Sequence, residues 1–206
     1  MKRMATTDVF AELFGSKEKA RLIRFFLLND KVALTSSEVA EKNKLRPKEA
    51  RRALRSLVKI DMLREHTRRR RKIYSLNRGF VYLLPLSRLI SASNTFNQCK
   101  NLSRLRRSTA VKYAAVSGLF TDNTKASADL FIVVSDARRA KIQRAVEYIE
   151  AEVGKEVRYV LLDVDEFRYR MEMLDRFLKD FFDGEYEEVV NKIPGLSRMI
   201  QSLQKK

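Results

Sequence analysis

Apolar residues recur along this chain with two periods, and the change of period divides it in two. In the first half the spacing is helical. A helix is predicted from a Ser16 cap to about Leu28, with Lys17, Glu18 and Lys19 in its first turn. Asn29, Asp30 and Lys31 break it, and Thr35, Ser36 and Ser37 offer caps for a short helix through Glu38, Val39 and Ala40. Residues 43–46 read as a turn, and Pro47 sits where proline is best tolerated, at the first position of a third helix over about 47–60. Ala50, Ala53, Leu54, Leu57 and Val58 make one apolar stripe on it, and Lys48, Arg51, Arg52, Arg55 and Lys59 fill the rest. Two short strands are expected at 62–67 and 72–76, joined by Arg68, Arg69, Arg70 and Arg71. The predicted order is helix, helix, helix, hairpin. A further helix follows at 80–92.

Residues 93–110 read as a connecting helix or linker between domains at 1–92 and 111–206. In the second half, strands alternate with helices. Strands are expected at 111–116, 129–134, 157–163 and 186–191. Helices are expected at 137–152, at 164–182, and after Pro194. Within 164–182, Phe167, Met171, Leu174, Leu178 and Phe181 fall on one inward stripe. The stretches Phe167–Tyr169–Met171 and Phe177–Phe182 read as core or a dimer face rather than a cofactor box. The chain as a whole is α+β, with a small α/β domain as its second part.

Charge sharpens this division. The formal net charge is +17 over 206 residues. Residues 1–110 hold 27 Lys and Arg against 9 Asp and Glu, a net of +18, whereas 111–206 hold 16 against 17. A basic half joined to a neutral half suggests a polyanion-binding module carrying a second domain. The single cysteine, Cys99, excludes an intramolecular disulfide and a cysteine-based zinc cluster. Polar residues follow Met1, Lys2 and Arg3, so no secretory leader is expected. The apolar stretches at 25–28 and 81–86 are too short to span a bilayer. A cytoplasmic protein with no membrane partner is the expectation.

Helical spacing places Lys48, Arg51, Arg52 and Arg55 opposite the apolar stripe, with Arg46 at the helix entrance. A helix-turn-helix presents that face to the major groove, where an arginine fork can bond both acceptors of a guanine. A merely solvated face usually mixes signs, and only Glu49 is acidic here. Arg68, Arg69, Arg70 and Arg71 are poor turn formers, since none favours positive φ. A cationic tip beside Lys72 suits a phosphate backbone or a narrow minor groove instead. His66, the one histidine, reads as a polar strand residue or phosphate contact.

Residues 1–90 resemble the winged helix-turn-helix domains of ArsR-like regulators. The resembling pieces are Leu13, Phe14, Gly15, Ser16 and Lys17 before the first helix, and Leu45 to Ala50 into the third. The hairpin ending Ile73, Tyr74, Ser75, Leu76 and Asn77 is similar too. The resemblance implies a homodimeric transcriptional regulator of double-stranded DNA. Metal sensing is not implied, because that family's sensors use Cys or His clusters and this chain has one of each.

Val116, Ser117, Gly118, Leu119 and Phe120, followed by Ala128 to Val133, resemble the start of a minimal nucleotidyltransferase domain. In that family a glycine-serine pair cradles phosphates, and two closely spaced carboxylates hold two magnesium ions with a third from a later strand. Gly118 and Asp129 match. Leu119 stands where serine is expected and Phe131 where the second carboxylate is expected, and Asp163 is the candidate for the third. The resemblance therefore implies a vestigial nucleotide site at Gly118 and Asp129, with no catalytic residue, metal or cofactor. Two other readings are a working nucleotidyltransferase and a nucleotide-sensing protein, each with a DNA-binding attachment. An effector, small molecule or nucleotide, stays open, as does RNA in place of DNA.

Overall fold

The computed structural model describes residues 6–92, 99–121, 123, 125–135 and 139–204. The chain is mixed α+β, with two small sheets. It forms two compact units, Met1–Cys99 with Glu147–Glu156, and Lys100–Val146 with Val157–Lys206. Of the connecting segment expected at 93–110, residues 93–98 lie outside the described residues.

The first unit opens with α1 (Thr6–Leu13) and α2 (Lys17–Leu28). The Ser16 hydroxyl caps α2 by accepting from the Lys19 amide at 3.3 Å. Next come β1 (Ala33–Thr35), α3 (Ser36–Lys42), α4 (Pro47–Lys59), β2 (Leu63–Arg68), β3 (Arg71–Leu76) and α5 (Leu83–Ser91). Thr35 and Glu38 cap α3 reciprocally, each satisfying the other's backbone N–H. The sheet runs β1-β3-β2, all antiparallel. Leu22, Phe25 and Phe26 of α2, Val39 of α3, and Leu54 and Leu57 of α4 meet Met62, Tyr74 and Leu76 in one core.

Two of these elements were not expected. Helix α1 is eight residues long, too short to persist in water by itself. It is held by Phe10, which packs with Ala20 and Ile90. Strand β1 has three residues, and its order comes from pairing with β3, Thr35 opposite Ile73, nearly forty residues away in sequence.

The second unit contains α6 (Leu102–Arg107), β4 (Val111–Val116), β5 (Leu130–Val134), α7 (Arg139–Val153), β6 (Tyr159–Asp163), α8 (Val164–Glu172), α9 (Arg176–Asp183), β7 (Glu187–Asn191) and α10 (Leu196–Gln204). The last part of α7 groups with the first unit. The sheet order is β6-β5-β4-β7, with β5 and β6 parallel and the other pairs antiparallel. Tyr113, Ala115, Phe131 and Val133 share a core with side chains of α8, α9 and α10.

The single helix expected over 164–182 is two. Leu174 adopts φ +55°, and the Asp175 carboxylate accepts from the Leu178 amide at 3.1 Å to cap α9. Leu174, expected inward, is consequently exposed. The stripe fits one continuous helix equally well, so the break follows from local capping. Among the described residues, no helix is long and apolar enough to cross a membrane.

Candidate nucleic-acid interface

Helices α3 and α4 are joined by a turn of four residues, 43–46. Lys44 takes φ +48° there, and the buried Asn43 side chain donates to the Val39 carbonyl at 2.9 Å. The Arg21 guanidinium donates to the Asn43 carbonyl at 2.9 Å. These bonds fix the angle at which α4 leaves α3. Ala50, Ala53, Leu54 and Leu57 are buried, and Val58 is half-buried. Lys48, Arg51, Arg52, Arg55 and Lys59 are all exposed, so the structure places one whole face of α4 in solvent as a cationic surface.

The hairpin carries a second cationic group. Register pairs Arg68 with Arg71, leaving Arg69 and Arg70 as a two-residue turn at φ +48° and +62°. Positive φ at both central positions is what a type I′ turn requires. Two arginines hold a conformation better suited to Asn and Gly, at a cost of about 1–2 kcal/mol each. From Arg64 to Lys72 every residue is exposed, so the distal hairpin buries nothing that would offset this.

The sequence singled out ten cations, and the structure divides them. Arg46 bonds Glu49, its Nε donating at 2.8 Å, and this holds the Glu49 carboxyl below its ordinary range. Lys72 bonds Glu65 at 2.6 Å and depresses that carboxyl likewise. The Nε of Arg51 donates back to the Pro47 carbonyl at 3.2 Å. Lys48, Arg52, Arg55, Arg68, Arg69, Arg70 and Arg71 have no ion-pair partner among the described residues. Arg55 acts electrostatically on Glu65 and Tyr74, so the α4 face and the root of the hairpin share one surface.

The second constellation, Gly118 with Asp129, is brought together, though differently from the expectation. The Asp129 carboxylate accepts four hydrogen bonds: from the amides of Leu119 and Arg158 at 2.9 Å each, and from the Arg158 guanidinium at 3.0 and 2.8 Å. Burial pushes this carboxyl up, but the Arg158 fork and the two amides outweigh it and hold the group below its ordinary value. Gly118 adopts φ +52°, and a Cβ there would collide with the Asp129 carboxylate. The glycine leaves room for that carboxylate, where the resemblance would have it leave room for a phosphate.

Phe131 is fully buried against Tyr113, Phe167, Phe177, Phe181 and Phe182. Asp163 is no third carboxylate. It pairs with Val134, at the opposite end of β5 from Asp129, and accepts from the Glu166 amide at 2.7 Å to cap α8. At about 3.3 Å per residue, that end lies too far from Asp129 to share a metal. These residues do not fit a two-metal site. Arg158, the residue that neutralises Asp129, escaped sequence analysis because 29 positions separate the two and no spacing rule links them.

Among the described residues, no group of three or more His, Cys, Asp or Glu could hold a metal ion. No family model matches the chain, and no curated protein or solved structure matches it.

Proposed function

We propose that the first unit is a winged helix-turn-helix that binds double-stranded DNA, and that the protein is a transcriptional regulator. In this reading α4 enters the major groove, with Arg52 and Arg55 at base edges and Lys48 on phosphates. The β2–β3 tip lies along the backbone or in the minor groove. One observation carries the reading: seven cations on α4 and the hairpin tip stand exposed without an ion-pair partner among the described residues, while the nearby acids Glu49 and Glu65 are held by Arg46 and Lys72. Arg52→Glu with Arg55→Glu should abolish duplex binding in fluorescence anisotropy at low salt while leaving the circular dichroism spectrum unchanged. Undiminished binding by that variant refutes the reading.

The protein acts as a homodimer in this proposal. Val81, Tyr82 and Leu84 are 82%, 63% and 69% exposed and supply apolar surface for a second copy to cover. Light scattering that shows only monomer at assay concentration would exclude this. The second unit is nucleotidyltransferase-like in fold and without transferase chemistry, because Asp129 spends its acceptors on Arg158 and two amides. Turnover of a nucleoside triphosphate with magnesium that Asp129→Ala destroys would overturn that assignment.

A further inference from the structure

The second unit has a cationic cleft at the end of its sheet away from Gly118 and Asp129. It lies beside the start of β4 and the end of β5, with a volume of about 590 Å³, within the range of sites that hold small molecules. Arg104 and Arg107 line it from the last turn of α6, and Lys141 from the first turn of α7. Ser108, Thr109 and Ser135 add hydroxyls, and no carboxylate lines it among the described residues.

Arg106 and Arg107 of α6 have separate roles. Arg106 is structural, its Nε donating to the Val189 carbonyl at 2.8 Å. Lys192 reinforces that seam by donating to the carbonyls of Arg106 and Ser108. The Ser135 amide bonds the Ala110 carbonyl at 2.8 Å, and β4 carries a register shift between Val111 and Tyr113. The walls are therefore held by hydrogen bonds to main-chain carbonyls, and Arg107 and Lys141 are left without an ion-pair partner among the described residues.

The position of Lys141 is informative. A helix N-terminus carries positive potential and favours acids. The first turn of α7 contains Lys141 and no acid. Together with Arg107 in the same cleft, this is a self-repelling pair of cations that a bound polyanion would relieve. Arginine forks match phosphate oxygens two at a time, and hydroxyls donate to the remainder.

We propose that this cleft is a binding site for a free oligophosphate ligand of nucleotide size. The site is separate from Gly118 and Asp129, and it does not depend on the DNA-binding reading of the first unit. Isothermal titration of the full chain with sodium tripolyphosphate, and with a nucleoside triphosphate, tests it against sodium sulfate at matched ionic strength. Saturable binding of one equivalent is expected. Arg107→Glu with Lys141→Glu should weaken it by roughly 100-fold, about tenfold per lost charge-assisted contact. Both positions are exposed, so the variant keeps its fold, as an unchanged circular dichroism spectrum would verify. Reversal of Arg69 and Arg70 to Glu should leave tripolyphosphate affinity unchanged.

Tripolyphosphate binding no tighter than sulfate, equal in the Arg107 and Lys141 variant, or lost with the hairpin tip, overturns the proposal. So does an absence of tripolyphosphate binding with a lower salt dependence of duplex binding in that variant. That result would assign these cations to the DNA backbone.

Discussion

The hairpin tip sets stability against binding in a way that can be measured. Replacing Arg69 by Asn and Arg70 by Gly installs the sequence that a turn with φ +48° and +62° favours. Each arginine there costs about 1–2 kcal/mol relative to a residue at ease with positive φ. Glycine returns about 0.5–1 kcal/mol of that through the greater freedom of its unfolded chain. Both side chains are exposed, so no packing is lost. The two arginines together cost about 2–4 kcal/mol, so the net gain should be about 1–3.5 kcal/mol. For a unit of this size that raises the melting temperature of its transition by about 5–20 °C. The same substitution removes two cations. If both lie on phosphates, the slope of log affinity against log salt should fall in magnitude by about 2. Thermal unfolding followed by circular dichroism gives the first quantity, and duplex anisotropy across a salt series gives the second. An unchanged or lower melting temperature would refute the strain assignment. A raised melting temperature with an unaltered salt slope would leave the strain and remove the wing from the DNA interface.

Phe131→Ala should destabilise the second unit by about 3–5 kcal/mol in denaturant titration, because the ring fills the centre of an aromatic cluster; a loss below about 1 kcal/mol would contradict that packing. Asp129→Asn should be less stable than the parent at neutral pH, since four hydrogen bonds to a carboxylate are weakened. The folded-state value for Asp129 lies below the ordinary 3.8, so its contribution is present above that pH and disappears as pH falls through the folded value. The stability gap between the two proteins should therefore narrow below about pH 4, and a gap that widened there would contradict the sign. Gly118→Ala should destabilise through positive φ and through collision with Asp129; in an Asp129→Ala background the penalty should shrink, and strict additivity in the double-mutant cycle would rule out the contact.

Features of the sequence that repeat within a few residues determined a good deal of this protein. The stripe of Ala50, Ala53, Leu54 and Leu57 fixed which face of α4 is buried, because helical geometry leaves no other choice. The Ser16 and Thr35 caps set where α2 and α3 begin, since each satisfies an amide three residues away. The charge split and the exposed cations of α4 were legible for the same reason.

Interactions that span long separations were decided only in three dimensions. Strand β1 exists through pairing with β3, and α1 through contact with Ile90. The neutralisation of Asp129 by Arg158, the displacement of Asp163 to the far end of the sheet, and the placing of Arg107 and Lys141 in one cleft all depend on where strands are ordered within a sheet. The arginine turn stands between the two cases. Its sequence opposes positive φ, yet the register of β2 against β3 imposes it, because pairing along six residue pairs outweighs the strain at two.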